Sequence, residues 1–252
     1  MGQCGVSRQR TSPRNIDDIY QTSVRGFTAA GRQPEARVGF REAGGQCFLA
    51  RGPYAVRPAM GSAEVLEEVA EEVRGCRLCP LWEGRRNAVP GEGNPSAEIM
   101  IVGEGPGEEE DLQGRPFVGR AGRLLTQALA HAGLRREDVY ITNVVKCRPP
   151  GNREPTPEES KVCVEKYLRR QMEAVNPRVV LLLGTVAVRS LLGIGSVMAV
   201  RGKSITKGGR VFFCTIHPAA ALYNPASRPL LFKDVAAAKG LAESLRSSML
   251  QQ

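Results

Sequence analysis

The sequence predicts a three-layer α/β/α sandwich around a central, mainly parallel four-stranded sheet. Three observations predict it: four short runs rich in β-branched residues, amphipathic helical patterns between them, and spacings long enough for crossover helices. The pattern begins at Met60. Residues 63–74 place Leu66, Val69, Ala70 and Val73 on one helical face, and Gly75 supplies a stop. The first strand falls at 98–103. Ala121, Leu124, Leu125, Ala128, Leu129 and Ala132 then recur at the spacing of a helix that Gly133 ends. A second strand at 139–145 precedes a helix after Pro157, where Glu158 and Glu159 suit the positive end of the helix dipole. Strands at 179–184 and 211–216 follow. The last helix buries Leu231, Val235, Ala238, Ala242 and Leu245. Ligands of such sheets bind beyond the carboxyl ends of the strands, so the segments after each strand are the ones to search.

Composition bounds the function. The 252 residues are 42% hydrophobic and 24% charged, an ordinary globular balance with enough apolar mass for a substantial core. The longest apolar run, 179–183, is far short of the roughly 18 residues that a membrane helix needs. The first residues lack the apolar core of a secretory signal, so the seven cysteines are expected in a reducing compartment, where metal or catalytic roles outrank disulfides. Residues 1–59 carry no sustained helical or strand period and read as a disordered, Arg-rich extension. Asp17 and Asp18 argue against an organelle leader, and an extension upstream of an alternative start at Met60 is the simpler reading. The folded domain is then 60–252. Nine arginines against Asp17, Asp18, Glu35 and Glu42 give the extension +5, leaving only +4 of the total +9 to that domain. A charge that small permits nucleic-acid binding without arguing for it.

Two phosphate-binding motifs fail on inspection. Gly103-Glu104-Gly105-Pro106-Gly107-Glu108 follows a strand, but the third glycine of a dinucleotide fingerprint would have to be Glu108, and Glu108 to Asp111 would repel a pyrophosphate. Gly202-Lys203-Ser204 mimics the end of a Walker motif whose first glycine would fall at Val197. A cysteine constellation remains: Cys76-x-x-Cys79, Cys147 and Cys163. Four sulfur donors suit zinc or an iron–sulfur cluster, with buried, unliganded thiols as the plainer alternative. Cys214 sits in a strand and reads as core, while Cys4 and Cys47 lie in the extension. Of the two histidines, His131 is off its helix's apolar stripe and reads as a solvated surface residue. His217 ends the fourth strand, at the ligand edge, where a donor of tunable pKa is useful. Asn143 ends another strand at the same edge.

Taken together, the run Val102 to Leu125, the segment TNVVKCRPPGNREPTPEE and the HPAAAL motif closely resemble the family 4 uracil-DNA glycosylases, the iron–sulfur type of bacteria and archaea. The resemblance covers residues 63–245 and includes all four cysteine spacings. It implies a 4Fe-4S cluster on Cys76, Cys79, Cys147 and Cys163, structural in role. It implies a monofunctional repair hydrolase that flips deoxyuridine from single- or double-stranded DNA and leaves an abasic site. Phe117 would stack on the base and Asn143 would read its edge. Glu110 would crowd the thymine methyl, and His217 would donate to uracil O2. Glu104 would serve the sugar side, since Gly105 stands where family 1 enzymes have Asp. Arg120, Arg123, Lys146, Arg148 and Arg153 would contact DNA, with Leu222 entering the minor groove and Tyr223 standing where the family often has Arg. The same resemblance implies a cytoplasmic, nucleoid-associated monomer, with any clamp partner open. A non-catalytic iron–sulfur DNA-binding module, a ferredoxin-like carrier and a DNA-crosslinking relative are the rival classes.

Overall fold

The computed structural model describes residues 61–249, so the expectations for 1–59, Cys4 and Cys47 lie outside the described residues. Helix α1 (Ser62–Gly75) buries Leu66, Val69, Ala70 and Val73, the face that the periodicity predicts. Its first turn is closed by Glu64, whose carboxylate accepts from the Gly61 N–H at 3.0 Å.

Six strands form one sheet: β1 (Glu92–Gly93), β2 (Ile99–Gly103), β3 (Tyr140–Asn143), β4 (Val179–Leu183), β5 (Ser204–Lys207) and β6 (Arg210–Thr215). Their spatial order is β1-β3-β2-β4-β6-β5. The inner four pair in parallel, as expected, whereas β1 and β5 add antiparallel edges. The four-stranded expectation is therefore corrected to six. β1 has only two residues, too few for any period, and β5 is a mostly exposed edge with no buried face to betray it. β5 did carry a signal: Gly208-Gly209, with φ of +56° and +74°, is the sequence of a two-residue hairpin turn. Gly202-Lys203-Ser204 leads into this hairpin, so it is followed by an edge strand and not by the helix that a phosphate loop needs.

Alternation along β2 divides the core. Met100 and Val102 face one layer with α1 and helices α4 (Pro157–Cys163), α5 (Arg169–Val175) and α6 (Gly184–Leu192). Ile99 and Ile101 face the other, with α3 (Arg120–His131) and α8 (Arg228–Met249). Cys214 is fully buried in β6, in the first of these layers, as its strand position predicts. His131 is exposed on α3, with the Phe232 ring 5.4 Å away between centroids.

Two short helices complete the binding edge, α2 (Glu108–Gln113) after β2 and α7 (Pro218–Tyr223) after β6. The chain passes from β2 to β3 on one side and returns to β4 on the other, so the strand order reverses at β2. A crevice opens at the carboxyl ends of strands where such a reversal occurs. β3 ends at Asn143, two residues before the predicted limit, because Val144 and Val145 turn to donate to the carbonyls of Gly103 and Glu104.

Helix α4 starts on a reciprocal cap: the Glu159 N–H donates to Thr156 Oγ1 at 3.2 Å and the Thr156 N–H to the Glu159 carboxylate at 2.8 Å. Replacing Thr156 by Ala should cost about 1 kcal/mol. Thermal unfolding should then move down by about 2–4 °C. An unchanged Tm would contradict this account of the helix start.

Candidate active site

A cavity of about 340 Å³ opens at the carboxyl ends of the parallel strands, and Glu104, Gly105, Glu110, Phe117, Asn143 and His217 all line it. The six residues assigned to catalysis or base binding thus meet in one place, although they span more than a hundred positions of sequence.

Asn143 is 1% exposed, at the end of β3. Its Oδ1 is buried with no hydrogen-bond donor, one of two such side-chain atoms among the described residues. An orphaned acceptor of this kind costs about 1–3 kcal/mol, which a ligand N–H can recover. Gly103 makes room for it: a Cβ there would stand 2.5 Å from Asn143 Oδ1 and 2.4 Å from the Phe117 ring.

Phe117 is held in an uncommon backbone state, with φ of +52° and its ring 6% exposed. Arg136 maintains it by donating to the carbonyls of Pro116 at 2.8 Å and Phe117 at 3.0 Å. Glu92 in turn accepts from Arg136 and Arg115. Burial opposes ionisation of Glu92, but the two guanidiniums outweigh it and hold the carboxyl below its usual pKa. Gly122 lets α3 pass beneath, since a Cβ there would lie 1.8 Å from the Phe117 carbonyl oxygen. Nothing local in the sequence marks Arg136, which acts across 19 residues.

The Phe117 and His217 rings lie 5.7 Å apart at 34°. His217 Nδ1 accepts from the Ala219 N–H at 3.2 Å, so the neutral ring carries its proton on Nε2. Burial lowers its pKa from 6.5 to about 4, against an opposing pull from Glu110. A neutral donor therefore faces the cavity at neutral pH.

Glu110 accepts from the N–H groups of Gly107, Val118 and Gly119, fastening the start of α2 to the start of α3. Its oxygens are thus committed to the backbone, and what it offers the cavity is bulk. Burial raises the pKa of Glu104, Glu154 adds to the rise, and Arg189 opposes it. A Cβ on Gly105 would meet Val145 Cγ2 at 2.8 Å, so this chain has no room for the aspartate of family 1 enzymes without moving a buried valine.

The expected DNA contacts divide. Arg120, Arg123 and Leu222 line one open groove together with Arg228. Arg153 stands at the cavity wall, its guanidinium forked onto Glu159, and Arg148 donates to Asn152. Lys146 is a correction. It is 1% exposed, and its ammonium donates to Thr142 Oγ1, the Asn143 carbonyl and Gln171 Oε1 at 2.6, 2.8 and 2.7 Å. All three of its protons are used inside the protein, so it anchors the end of β3 and touches no phosphate.

Cys76, Cys79, Cys147 and Cys163 line a second, small cavity of about 10 Å³ beside Leu81, Val145 and Tyr167. Burial raises the thiol pKa of Cys79 and Cys147 and pushes that of Cys163 up to about 12. Arg85 donates to Cys147 Sγ at 3.0 Å and to the Arg74 carbonyl at the end of α1. Among the described residues no three His, Cys, Asp or Glu side chains converge closely enough to hold one ion.

An aromatic wall, an amide oxygen without a donor and a neutral imidazole thus meet at the carboxyl edge of a parallel sheet, where α/β domains of this class bind their ligands. Comparison with known proteins narrows the class. The profile of the uracil DNA glycosylase superfamily matches residues 90–239. A type-4 uracil-DNA glycosylase of Sulfurisphaera tokodaii is 50% identical over 187 residues, covering 70% of this chain and 84% of the relative. That of Saccharolobus solfataricus is 50% identical over 179 residues, 67% of this chain and 82% of its own. That of Thermotoga maritima is 49% identical over 181 residues, 70% of this chain and 94% of its own. The chain belongs to the uracil DNA glycosylase superfamily, and within it to the type-4 enzymes.

Because folding lowers the His217 pKa, the unfolded chain takes up a proton between 6.5 and about 4 that the folded chain refuses. The contribution of this group to stability is therefore complete above 6.5 and is lost as the pH falls towards 4. With only two histidines in the chain, ring ¹⁵N NMR resolves both. The expected result is a His217 ring protonated on Nε2 from pH 8 to 5 that titrates near 4, whereas a midpoint near 6.5 would contradict the assignment.

Proposed function

We infer that the protein excises uracil from DNA by hydrolysing the bond between the sugar and uracil N1, leaving an abasic site for repair. One observation carries the reading: the unsatisfied Asn143 Oδ1 shares a cavity with the Phe117 ring and the neutral His217. The target bond is out of reach inside a stacked duplex, so the nucleotide must be extruded into that cavity. Phe117 gives the base a face to stack on. Asn143 accepts from uracil N3–H and donates to O4; cytosine reverses both groups and would leave buried polar atoms unpaired. The bulk of Glu110 works against a methyl at C5.

As the bond breaks, negative charge gathers on uracil O2 and positive charge on the sugar. His217 donates through Nε2–H to that oxygen, and its neutral state needs no proton to be taken up or released. Glu104, whose raised pKa makes it a stronger base than a solvated carboxylate, stabilises the sugar cation or orients the incoming water. Arg120 and Arg123 hold phosphates, with Arg153 on the cavity wall and Arg148 bonded to the lining residue Asn152.

We assign the second cavity to a 4Fe-4S cluster held by Cys76, Cys79, Cys147 and Cys163. An all-sulfur donor set of four cysteines around one small cavity suits it. The cluster supplies structural cross-linking. Cys147 follows Lys146, which grips the Asn143 carbonyl, so ordering this loop orders the base-reading amide.

A uracil-release assay tests the reading. His217→Ala should cost about a hundred- to a thousandfold in rate, the usual loss for one oxyanion donor. Asn143→Asp should lose uracil by a similar factor, because its second carboxylate oxygen meets uracil O4 acceptor to acceptor, and gain measurable cytosine release, because one oxygen accepts from cytosine N4–H and the other, when protonated, donates to N3. Wild-type rates in both variants would sink the assignment. Anaerobic analysis should find iron and acid-labile sulfide; one equivalent of zinc without sulfide would contradict the cluster.

A further inference from the structure

We propose that Tyr223, and not Leu222, is the side chain that enters the duplex when the uridine leaves it, filling the vacated place with its ring. This rests on the glycosylase reading. It departs from the sequence-based expectation because the two residues point in different directions. Leu222 is partly buried and packs against the core layer that holds α3 and α8. Its side chain is already committed to the protein. Tyr223 is 90% exposed, the most exposed of the large hydrophobic residues among those described.

Helix geometry makes the contrast inevitable. Successive residues are turned about 100° from each other, so once Ala221 and Leu222 face inward, Tyr223 must face out. Tyr223 is the last residue of α7, and beyond it Asn224 is extended and Pro225 begins a new turn, leaving the ring at the tip of the element that starts with His217. It stands on the wall of the base cavity, with Pro149, Asn152 and Arg153 also lining it. The groove of Arg120, Arg123 and Arg228 adjoins the same short helix through Leu222 and offers phosphate contacts that would lay a duplex across Tyr223. A tyrosine ring in that position suits a wedge, because its flat face stacks on bases of any identity while its hydroxyl stays in contact with water.

A wedge is needed only where there is a stack to open. Single-turnover uracil release should therefore be compared on duplex and single-stranded oligonucleotides of one sequence. Tyr223→Ala should lower the ratio of duplex to single-strand rate by about tenfold, the equivalent of one lost base-stacking contact. Tyr223→Phe should restore the ratio, and Leu222→Ala should slow both substrates in parallel. Equal losses on both substrates in Tyr223→Ala would overturn the proposal, as would a duplex-selective loss in Leu222→Ala alone. If the unmodified protein released no uracil from either substrate, the glycosylase reading would fall, and this proposal with it.

Discussion

A buried amide oxygen without a donor is a standing cost of about 1–3 kcal/mol, and at Asn143 the fold maintains that cost. The neighbouring groups are arranged so that no protein donor can relieve it. Gly103 keeps the space open, Phe117 closes one side with an aromatic face, and the carbonyl of Asn143 itself is held from behind by Lys146. A base that offers an N–H at this point supplies the donor that the protein does not. On the proposed reading, selectivity follows from an unsatisfied protein group as much as from contacts in the complex.

The rest of the molecule supports that arrangement. Parallel strands bring Asn143 and the loop before His217 to one edge, and the register of β2 with β3 sets Gly103 beside Asn143. Beneath the edge lies a fully paired polar network in which Gln171 and Thr142 both donate to the Pro90 carbonyl while accepting from Lys146. Such a network is costly unless every member is satisfied, and here the lysine has all three acceptors. On the opposite wall, Arg136 stabilises the left-handed backbone of Phe117. The ring proposed to receive the base is consequently set by an ion-paired guanidinium rather than by its own preference.

Much of this was legible in the sequence. The alternating strand and helix periods located the four parallel strands, and their carboxyl ends located Asn143 and His217 as candidates. What was not legible depends on contacts across space. Lys146 lies in a basic loop among Arg148 and Arg153, and no local pattern distinguishes an ammonium turned into a polar core from one turned to solvent. Leu222 and Tyr223 are adjacent, and only the packing of α7 decides which of them is free. Edge strands β1 and β5 escaped because one is too short for a period and the other buries almost nothing. Arg136 and Gln171 act on residues 19 and 25 positions away, beyond any window of local periodicity.

The central claim is that one nucleobase engages the amide and the imidazole at the same time. A crystal structure of the protein with free uracil tests it most directly. The account predicts the pyrimidine stacked on Phe117, N3–H within hydrogen-bond distance of Asn143 Oδ1 and O2 within reach of His217 Nε2. Uracil bound with either group out of reach would contradict it.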